Sequence, residues 1–291
     1  MNRSALALLL LAGCATTPAP VLTSPPPAVD PLRVEGPARP PLAVTRVAHA
    51  SVLLELGSVT VLTDPWFTES PAYHHGELLS VQVDGLPKLD AVLVSHDHYD
   101  HFDIDAFTLY RDKSVPMFVC AGMGPKARAA GFTDVIELKA GESATRGALT
   151  VTAFPGAHGM DEITFVVEAN AWRVFFGGDS LLTPALKEAA RTTTPVDLAL
   201  PAVNGLRAFG SQKVMNAKEA AELVSLLRAR VAVPTHYTFK GSAFTDTFIL
   251  GYDGTAEEFV ETAREKSPST QTRVLSPGQR LVIENERPPA P

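Results

Sequence analysis

The sequence predicts an α+β fold in which two β-sheets pack face to face and helices cover their outer surfaces. Two separate clusters of strand-like segments, each followed by helical segments, support this architecture. The 291 residues are 45% hydrophobic, which is enough apolar material for one large core. No internal repeat at a fixed period is present, so a repeat architecture is not predicted.

A leader-like segment precedes the predicted body. Arg3 supplies a positive charge, residues 5–11 form an apolar stretch too short to span a bilayer, and Leu11-Ala12-Gly13-Cys14 follows. Small residues before a cysteine resemble the lipobox of bacterial lipoproteins, so we expect cleavage before Cys14 and lipidation of its thiol. The alternative is an ordinary secretory signal with an incidental cysteine. Lipidation would anchor the protein in the bacterial cell envelope, at the periplasmic side or the outer membrane.

Residues 15–41 are dominated by Pro, Ala, Thr and Val and include Pro25-Pro26-Pro27. Such a segment favours extended, polyproline-like conformations and does not fill a core. We therefore predict a spacer between the membrane and a folded body at residues 42–286. The last residues, 287–291, are predicted to be a loose tail.

The first part of the body is predicted to form strands at residues 44–47, 51–56, 58–63 and 89–94. Gly57-Ser58 supplies the turn between the second and third of these strands. Asp64-Pro65 ends the third, because proline has no N–H to donate to a neighbouring strand. Asp103 is predicted to cap a helix that extends to about residue 111.

The rest of the body is predicted to mix strands and helices. The strands are expected at residues 116–120, 134–138, 148–154, 162–168, 172–176, 196–200, 231–233, 271–275 and 280–284. The helices are expected at residues 124–130, 183–191, 217–229 and 255–266. Asn216 caps the clearest helix, whose apolar face is formed by Ala220, Leu223, Val224 and Leu227. Cys120 ends an apolar strand and is predicted to be a buried cysteine and not a nucleophile.

The charge balance is acidic. The chain has 25 Lys and Arg against 32 Asp and Glu, a formal net charge of −7 and an isoelectric point near 5.6. This balance argues against a nucleic-acid partner bound through bulk positive charge.

The loop after the strand at 89–94 contains His96, His98, Asp100 and His101. Imidazoles at this density are costly to pack in a core, but they are good ligands for zinc-like divalent metals. If the loop begins in an extended conformation, His96 and His98 point to the same side and can share one metal. Asp100 and His101 can hold a second metal, but four side chains are too few for two ions.

Three further candidates come from distant parts of the chain. His158, Asp179 and His236 each follow a predicted strand, in a loop that contains Gly or Pro. Side chains in such positions can converge at one edge of a sheet. A carboxylate such as that of Asp179 can also bridge two cations.

The ordered candidates resemble the ligand pattern of the metallo-β-lactamase superfamily, in the order His96-x-His98-x-Asp100-His101, His158, Asp179 and His236. The resemblance covers about residues 42–284 and implies a four-layer αββα sandwich with a two-metal site at one edge. It implies one metal on His96, His98 and His158, and a second on Asp100, His101 and His236, with Asp179 bridging both. Zinc is the expected metal, with manganese or iron as alternatives.

Further motifs are similar to the branch that contains N-acylphosphatidylethanolamine phospholipase D and ascorbate-6-phosphate lactonase. They are Ala48-His49-Ala50-Ser51, Leu62-Thr63-Asp64-Pro65 and Pro234-Thr235-His236-Tyr237. The segment after His158 departs from the phospholipase. The resemblance implies a hydrolase of a phosphodiester, with a lipid among the candidates, or of a lactone or ester. Water activated by the two metals would attack the substrate, with Asp100 and Asp179 as candidates for relaying the proton.

Two other functions remain open at this point. One is a di-iron oxidoreductase on the same fold, although that branch usually has a carboxylate where this chain has His98. The other is a non-catalytic metal-binding lipoprotein, against which the complete ligand set weighs.

Four more residues have two interpretations each. Asp64 either orients a ligand histidine from outside the metal shell or only starts an Asp-Pro turn. His49 either contacts substrate near the metals or is a structural histidine. His74 and His75 are expected to be solvated loop residues, with a position on the rim of the cleft as the alternative.

Overall fold

The computed structural model describes residues 16–286 of the chain. The predicted lipobox around Cys14 and the predicted tail at 287–291 lie outside the described residues. Between residues 16 and 286, none of the helices has the length and apolar character needed to cross a membrane. Strands and helices are numbered below in chain order.

The first sheet has eight strands and contains both parallel and antiparallel pairs. In spatial order they are β10 (Val135–Leu138), β9 (Met117–Cys120), β8 (Ala91–Val94), β5 (Val59–Thr63), β4 (Ser51–Leu56), β3 (Leu42–Ala48), β22 (Arg280–Glu286) and β2 (Leu32–Glu35). Strands β5, β8, β9 and β10 run parallel to one another, whereas β3, β4 and β5 form an antiparallel meander.

The second sheet has seven strands. In spatial order they are β11 (Ser143–Arg146), β12 (Leu149–Pro155), β13 (Ile163–Ala169), β14 (Trp172–Phe176), β15 (Leu198–Leu200), β18 (Val231–Ala232) and β21 (Gln271–Thr272). Three smaller pairings border the sheets. They join β1 (Thr17–Pro18) to β6 (Thr68–Glu69), β7 (Tyr73–His74) to β19 (Lys240–Gly241), and β16 (Leu206–Ala208) to β17 (Ser211–Gln212) and β20 (Leu250–Tyr252).

The helices lie outside the two sheets. They are α1 (Ile104–Phe107), α2 (Gly124–Ala129), α3 (Pro184–Thr192), α4 (Ala217–Leu226), α5 (Ala243–Phe248) and α6 (Ala256–Lys266), with a 3₁₀ turn at Val83–Gly85. One core cluster joins apolar residues of both sheets, such as Val44 and Phe165. A second cluster packs α3, α4 and α6 against the outer face of the second sheet, through residues such as Leu223 and Phe259. The predicted αββα sandwich is therefore confirmed.

The prediction of a spacer that does not contribute to the core is wrong for Ala19 and for residues 32–35. Leu32 and Val34 alternate with exposed residues along β2 and are buried in the first core cluster. The guanidinium of Arg39 lies 3.3 Å from the centre of the Trp172 ring and pairs with Asp197, with Nη2 and Oδ1 2.7 Å apart. The composition suggested an extended backbone correctly, but an extended backbone can also join the edge of a sheet.

Two helix predictions also need correction. The helix after Asp103 contains only Ile104–Phe107, although Asp103 caps it as expected by accepting a bond from Ala106 N–H. It ends early because Tyr110 turns inward, where its hydroxyl accepts a 2.7 Å bond from the N–H of Leu89. Helix α5 was not predicted, because its six residues are too few to show a helical period.

Candidate metal centre

All the candidate ligands lie in loops that follow strand ends at one edge of the sandwich. His96, His98, Asp100 and His101 follow β8, and His158, Asp179 and His236 follow β12, β14 and β18. His49 and Asp64 follow β3 and β5 at the same edge. The expected convergence of these loops is therefore observed. β5 and β8, like β14, β15 and β18, are parallel neighbours, and β3 and β12 have the same direction as β5 and β14 because one antiparallel strand separates each pair.

The first cluster contains His96, His98 and His158. One ring nitrogen of each lies within 4.8 Å of the other two. His96 Nε2 and His98 Nδ1 are 3.0 Å apart, and the rings of His98 and His158 meet edge to face at 4.9 Å. Three imidazoles directed at one point match the ligand set of a zinc-like ion.

The second cluster contains Asp100, His101 and His236, together with His49. The Nε2 atoms of His49 and His101 are 3.5 and 3.7 Å from Asp100 Oδ2, and they are 3.4 Å from each other. The sequence suggested His49 only as a substrate contact or a structural histidine. Its ring instead takes a position equivalent to that of the other candidate ligands.

Asp179 lies between the two clusters. Its Oδ1 is 3.1 Å from His101 Nε2, while its Oδ2 is 3.0 Å from His236 Nε2 and 3.6 Å from His158 Nε2. One carboxylate therefore contacts histidines of both clusters, which is the arrangement that a bridging ligand requires.

Two buried atoms between the clusters indicate whether these residues are suited to binding a cation. Asp179 Oδ1 and His236 Nε2 are buried and have no hydrogen-bond partner among residues 16–286. A buried polar atom without a partner costs about 1–3 kcal/mol, so such atoms are rare unless another group satisfies them. Both atoms can donate a lone pair to a cation, and further donor atoms lie close to them. The donor set therefore fits divalent metal ions.

The electrostatics of the site depend on burial and on close opposite charges. Burial and neighbouring histidines hold the pKa values of His49 and His96 well below the ordinary value. Burial alone would raise the pKa values of Asp100 and Asp179, but His101 and other histidines lower both below the ordinary value. Burial opposes the charge on His101, yet the surrounding carboxylates raise its pKa well above the ordinary value. Metals bind to ionised carboxylates and neutral imidazoles, so the shifts of Asp100, Asp179, His49 and His96 favour metal binding, whereas His101 would release a proton when a metal binds.

Asp64 orients the second cluster from outside. Its Oδ2 lies 2.6 Å from His101 Nδ1, and its two oxygens also accept bonds from the N–H and hydroxyl of Ser95 at 2.8 and 2.6 Å. All three residues are buried. The structure thus places Asp64 where it can fix the orientation of His101, while also ending β5 as an Asp-Pro turn.

Two contacts in the first cluster were missed by the sequence reasoning. Glu162 is buried, accepts a 2.8 Å bond from Asp179 N–H through Oε1, and lies 3.5 Å from His96 Nδ1. The backbone carbonyl of Lys213 lies 2.9 Å from His158 Nδ1. Neither contact had a sequence signal, because a Glu before a strand and a Lys in a loop are ordinary solvated residues.

Glycine is required next to Asp179. Gly178 has φ +51°, and a Cβ atom there would lie 2.7 Å from Glu162 Oε1 and 2.8 Å from Ser95. Left-handed backbone also occurs at His49 (φ 52°), Asp64 (φ 32°) and His236 (φ 56°). Residues other than glycine adopt this conformation at a cost of about 1 kcal/mol or more, and such residues concentrate at functional sites.

A buried ion pair holds the His49 loop in place. Glu77 Oε1 accepts a 3.0 Å bond from His49 N–H, and Glu77 Oε2 lies 2.5 Å from Arg46 Nη1. The Arg46 guanidinium also lies 4.3 Å from the centre of the Tyr237 ring, next to His236. Arg46 therefore connects the loops that carry two residues of the second cluster.

The expectation that His75 is a solvated loop residue is wrong. Its ring is buried and stacks on Trp66 with the ring centres 3.6 Å apart. Glu69 accepts the His75 N–H at 3.0 Å, and its Oε1 lies 3.3 Å from His75 Nδ1. The neighbouring His74 keeps 42% of its side chain exposed, in agreement with the expectation for that residue.

A cavity of about 360 Å³ opens beside both clusters. His98, Asp100, His158 and Asp179 form its floor. Its walls are mainly apolar or aromatic and include Tyr73, Tyr99, Leu206, Phe239 and Leu250. Lys213 is the one Lys or Arg side chain among the described residues that line it.

Comparison with known proteins extends these findings. Residues 59–237 match the family model described as the beta-lactamase superfamily domain. An uncharacterized protein of Mycobacterium tuberculosis is 31% identical over 221 residues, which are 68% of this chain. The match spans 59% of that relative, so this chain corresponds to little more than half of its length.

A second relative and a solved structure are matched over nearly their whole length. A protein of Rubrobacter xylanophilus named metal-dependent hydrolase is 27% identical over 253 residues, covering 82% of this chain and 95% of the relative. A metallo hydrolase from the archaeon Ignicoccus hospitalis superposes with a TM-score of 0.65 and 21% identity, covering 84% of this chain and 100% of that structure. The structural likeness supports the same fold.

Proposed function

This chain belongs to the beta-lactamase superfamily, and on that premise we propose that it hydrolyses a phosphodiester, or a lactone or other ester, with two bound divalent cations. The coarser description, a metal-dependent hydrolase, is the name carried by its Rubrobacter relative. The main support for the proposal is that two histidine-rich clusters meet at the carboxylate of Asp179, which lines a cavity.

The chain offers a ligand set for each cation. His96, His98 and His158 would hold one, Asp100, His101 and His236 would hold the other, and Asp179 would contact both. His49 is a further candidate ligand in the second set. Divalent cations bound there would make water nucleophilic near neutral pH and would polarise the substrate oxygen. We expect zinc, with manganese or iron as alternatives.

The residues around the ligands fix the direction of the donor atoms. Asp64 holds a proton on His101 Nδ1, which leaves His101 Nε2 free to face the cavity floor. The Lys213 carbonyl does the same for His158 by accepting from its Nδ1. Such outer partners commonly change metal affinity or activity by 10- to 100-fold when they are removed. Asp100 and Asp179 are the carboxylates nearest to where a proton would be released, so we assign proton relay to them.

The cavity supports a substrate with both an anionic and an apolar part. Tyr73, Leu206, Phe239 and Leu250 provide apolar contacts, and the Lys213 ammonium provides a positive charge at the same cavity. A phosphodiester is already anionic when it binds, whereas a simple lactone is neutral until water attacks its carbonyl group. The lysine therefore favours the phosphodiester, and the apolar walls make a lipid one plausible on chemical grounds. The motif resemblance described above supports the same two substrate classes.

We also propose that the protein is a lipoprotein of the bacterial cell envelope, anchored through Cys14. The support is the apolar stretch at residues 5–11 followed directly by Leu11-Ala12-Gly13-Cys14. Mass spectrometry of the membrane-extracted protein would detect the acyl groups on an N-terminal Cys14. An unmodified Cys14 would refute this part of the proposal.

The main test combines metal analysis with a substrate panel. We expect about two metal ions per chain, and metal-dependent turnover of bis-p-nitrophenyl phosphate, a phospholipid or one of several lactones. His98→Ala should lose both metal and turnover, while the exposed Lys88→Gln should keep both. Absence of bound metal in the folded protein, or unchanged hydrolysis in His98→Ala, would refute the proposal. Bound iron with oxygen consumption would instead favour the oxidoreductase alternative.

A further inference from the structure

Three phenylalanines are strongly exposed on the surface. The exposed fractions are 79% for Phe209, 55% for Phe244 and 70% for Phe248. A single exposed apolar side chain is ordinary, but several large ones in one place usually mark a binding surface. Whether these three residues mark a binding surface therefore depends on how close together they lie.

The three residues belong to neighbouring backbone segments. Phe209 lies at the turn between β16 and β17, and its N–H donates a 2.8 Å bond to the carbonyl of Ile249, the residue after Phe248. The rings of Phe244 and Phe248 lie on α5 with their centres 5.1 Å apart. We call Phe209, Phe244 and Phe248 the aromatic face.

The segment that carries most of this face is nearly free of charge. Asp246 is the one charged residue between Gly241 and Tyr252. Its Oδ1 accepts bonds of 2.8 Å from both the Gly241 N–H and the Tyr252 hydroxyl, so its charge is engaged within the fold. Exposed aromatic side chains on a helix face without a free charge are typical of surfaces that enter the interface of a lipid bilayer.

The aromatic face borders the candidate metal centre. Leu206 and Ala208 of β16 and Leu250 of β20 line the cavity whose floor holds His98 and Asp100. Ala208 directly precedes Phe209, and Leu250 follows Phe248 by two residues. A surface that contacts the aromatic face would therefore lie next to the strands that line this cavity.

The beginning of the described chain lies on the same side. Thr16, the first described residue, lines a second cavity of about 420 Å³ together with Thr245, in the same helix as Phe248, and Ile249, which directly follows Phe248. Cys14, the predicted lipid attachment site, is two residues before Thr16 in the sequence, and two residues of any chain span at most roughly 7 Å. Acyl chains on Cys14 would therefore join the protein close to the aromatic face.

From these observations we propose that the aromatic face docks on a lipid bilayer, so that the cavity entrance faces the membrane. The phenylalanines would enter the interfacial layer next to the lipid anchor, and the anchor would hold the protein in one orientation. This inference rests on the proposed lipid anchor and goes beyond the proposed reaction, because it concerns the orientation of the site.

The test uses spin labels on the full chain in vesicles of phosphatidylethanolamine and phosphatidylglycerol. Labels are attached at Thr247→Cys on α5 and Ser211→Cys beside Phe209, with Ser143→Cys on β11 as the control; all three native residues are exposed. The chain without an introduced cysteine reports background labelling. That background should come little from Cys120, since burial raises the pKa of its thiol to about 11.

We expect collisions with oxygen to exceed those with a water-soluble nickel chelate at residues 247 and 211, and the reverse at residue 143. In a triple variant with Phe209→Ser, Phe244→Ser and Phe248→Ser, the ratio of oxygen to nickel-chelate collisions at residues 247 and 211 should fall to the ratio at residue 143. The metal content should stay unchanged. The exposed Val274→Ser should have no effect. These readouts stand whether or not hydrolysis is found, so they separate this inference from the proposed function.

Two results would overturn the inference. In one, the labels at 247 and 211 stay as accessible to the nickel chelate as the label at 143 in vesicle-bound protein. In the other, labels at 247 on two copies of the chain show strong spin–spin coupling with or without vesicles, which would make a second copy the occupant of the aromatic face.

Discussion

The side chains of Asp64 and His101 meet in the interior, with Oδ2 and Nδ1 2.6 Å apart and both residues fully buried. Since Asp64 also accepts two bonds from Ser95, its position is fixed by the end of β8, the strand that carries the histidine loop. The pair joins the loops after β5 and β8, and it directs the other nitrogen of His101 toward Asp100 and Asp179.

We expect Asp64→Asn to weaken metal binding at the second cluster by about 10- to 100-fold. The amide can still bond to Ser95, but it can no longer stabilise the proton on His101 Nδ1 as a carboxylate does. Metal affinity is measured by competition with a chelator. The exposed Asp84→Asn serves as the control, and equal affinities for the two variants would contradict a role for Asp64 in orienting His101.

Lys213→Gln should raise KM for an anionic substrate about tenfold, as expected for the loss of a charged hydrogen bond. The backbone carbonyl that contacts His158 is retained, so kcat and metal content should change little. For a neutral lactone, KM should be the same in the Lys213→Gln variant and the wild type. Lys88→Gln, an exposed lysine outside the cavity, is the control, and a fall in kcat without a change in KM would show that Lys213 does not bind the anion.

Leu32→Ala should lower the free energy of unfolding by about 2–4 kcal/mol, as for other large-to-small core substitutions. Leu32 is buried on β2, in the segment predicted from sequence to be a spacer. Urea unfolding measures the change, with Leu109→Ala as the control because Leu109 is 71% exposed. Similar effects for the two variants would mean that β2 does not belong to the cooperative core.

Glu69 should make stability depend on pH in the acid range. His75 and His74 lower the pKa of Glu69 to about 2. A carboxyl group whose pKa is lower in the folded than in the unfolded protein stabilises the fold at pH values above its unfolded pKa, which is near 4.5 for Glu69. This stabilisation is lost as the pH falls toward 2. Because Glu69 is partly solvated, we expect this contribution to be about 1 kcal/mol.

The Glu69 contribution is measured by urea unfolding at pH 6 and pH 3. Glu69→Gln should lower stability at pH 6 and should lose less between the two pH values than the wild type does. Glu35→Gln removes the same charge from an exposed position, and its loss of stability between pH 6 and pH 3 should equal that of the wild type. A variant with an unchanged pH slope would show that the contact with His75 has no energetic effect.

The sequence was most informative where strands end in chemically unusual loops. The order of His96, His98, Asp100, His101, His158, Asp179 and His236 predicted one convergent cluster, and the structure brings all seven together. This worked because parallel strands place their carboxyl ends at one edge, so that residues far apart in sequence become neighbours. The role of these residues as ligands stays a prediction.

The sequence was less informative where tertiary contacts override local preference. Residues 32–35 alternate apolar and charged side chains, but they lie in a Pro-rich segment whose overall composition predicts a linker, and the pairing with β22 makes them a strand. His75 lies in an irregular loop, and its burial depends on stacking against Trp66. Glu162 could not be identified, because its partner Asp179 is 17 residues away and its own neighbourhood has no unusual composition.

The position of β22 has a consequence for synthesis on the ribosome. Residues 280–286 lie inside the first sheet, paired on one side with β3 and on the other with β2, both from the first fifty residues. Until β22 emerges, the nascent chain presents β3 as an unpaired edge that other chains can join. Chains that stop before residue 280 should therefore aggregate, even though every candidate metal ligand has already been translated.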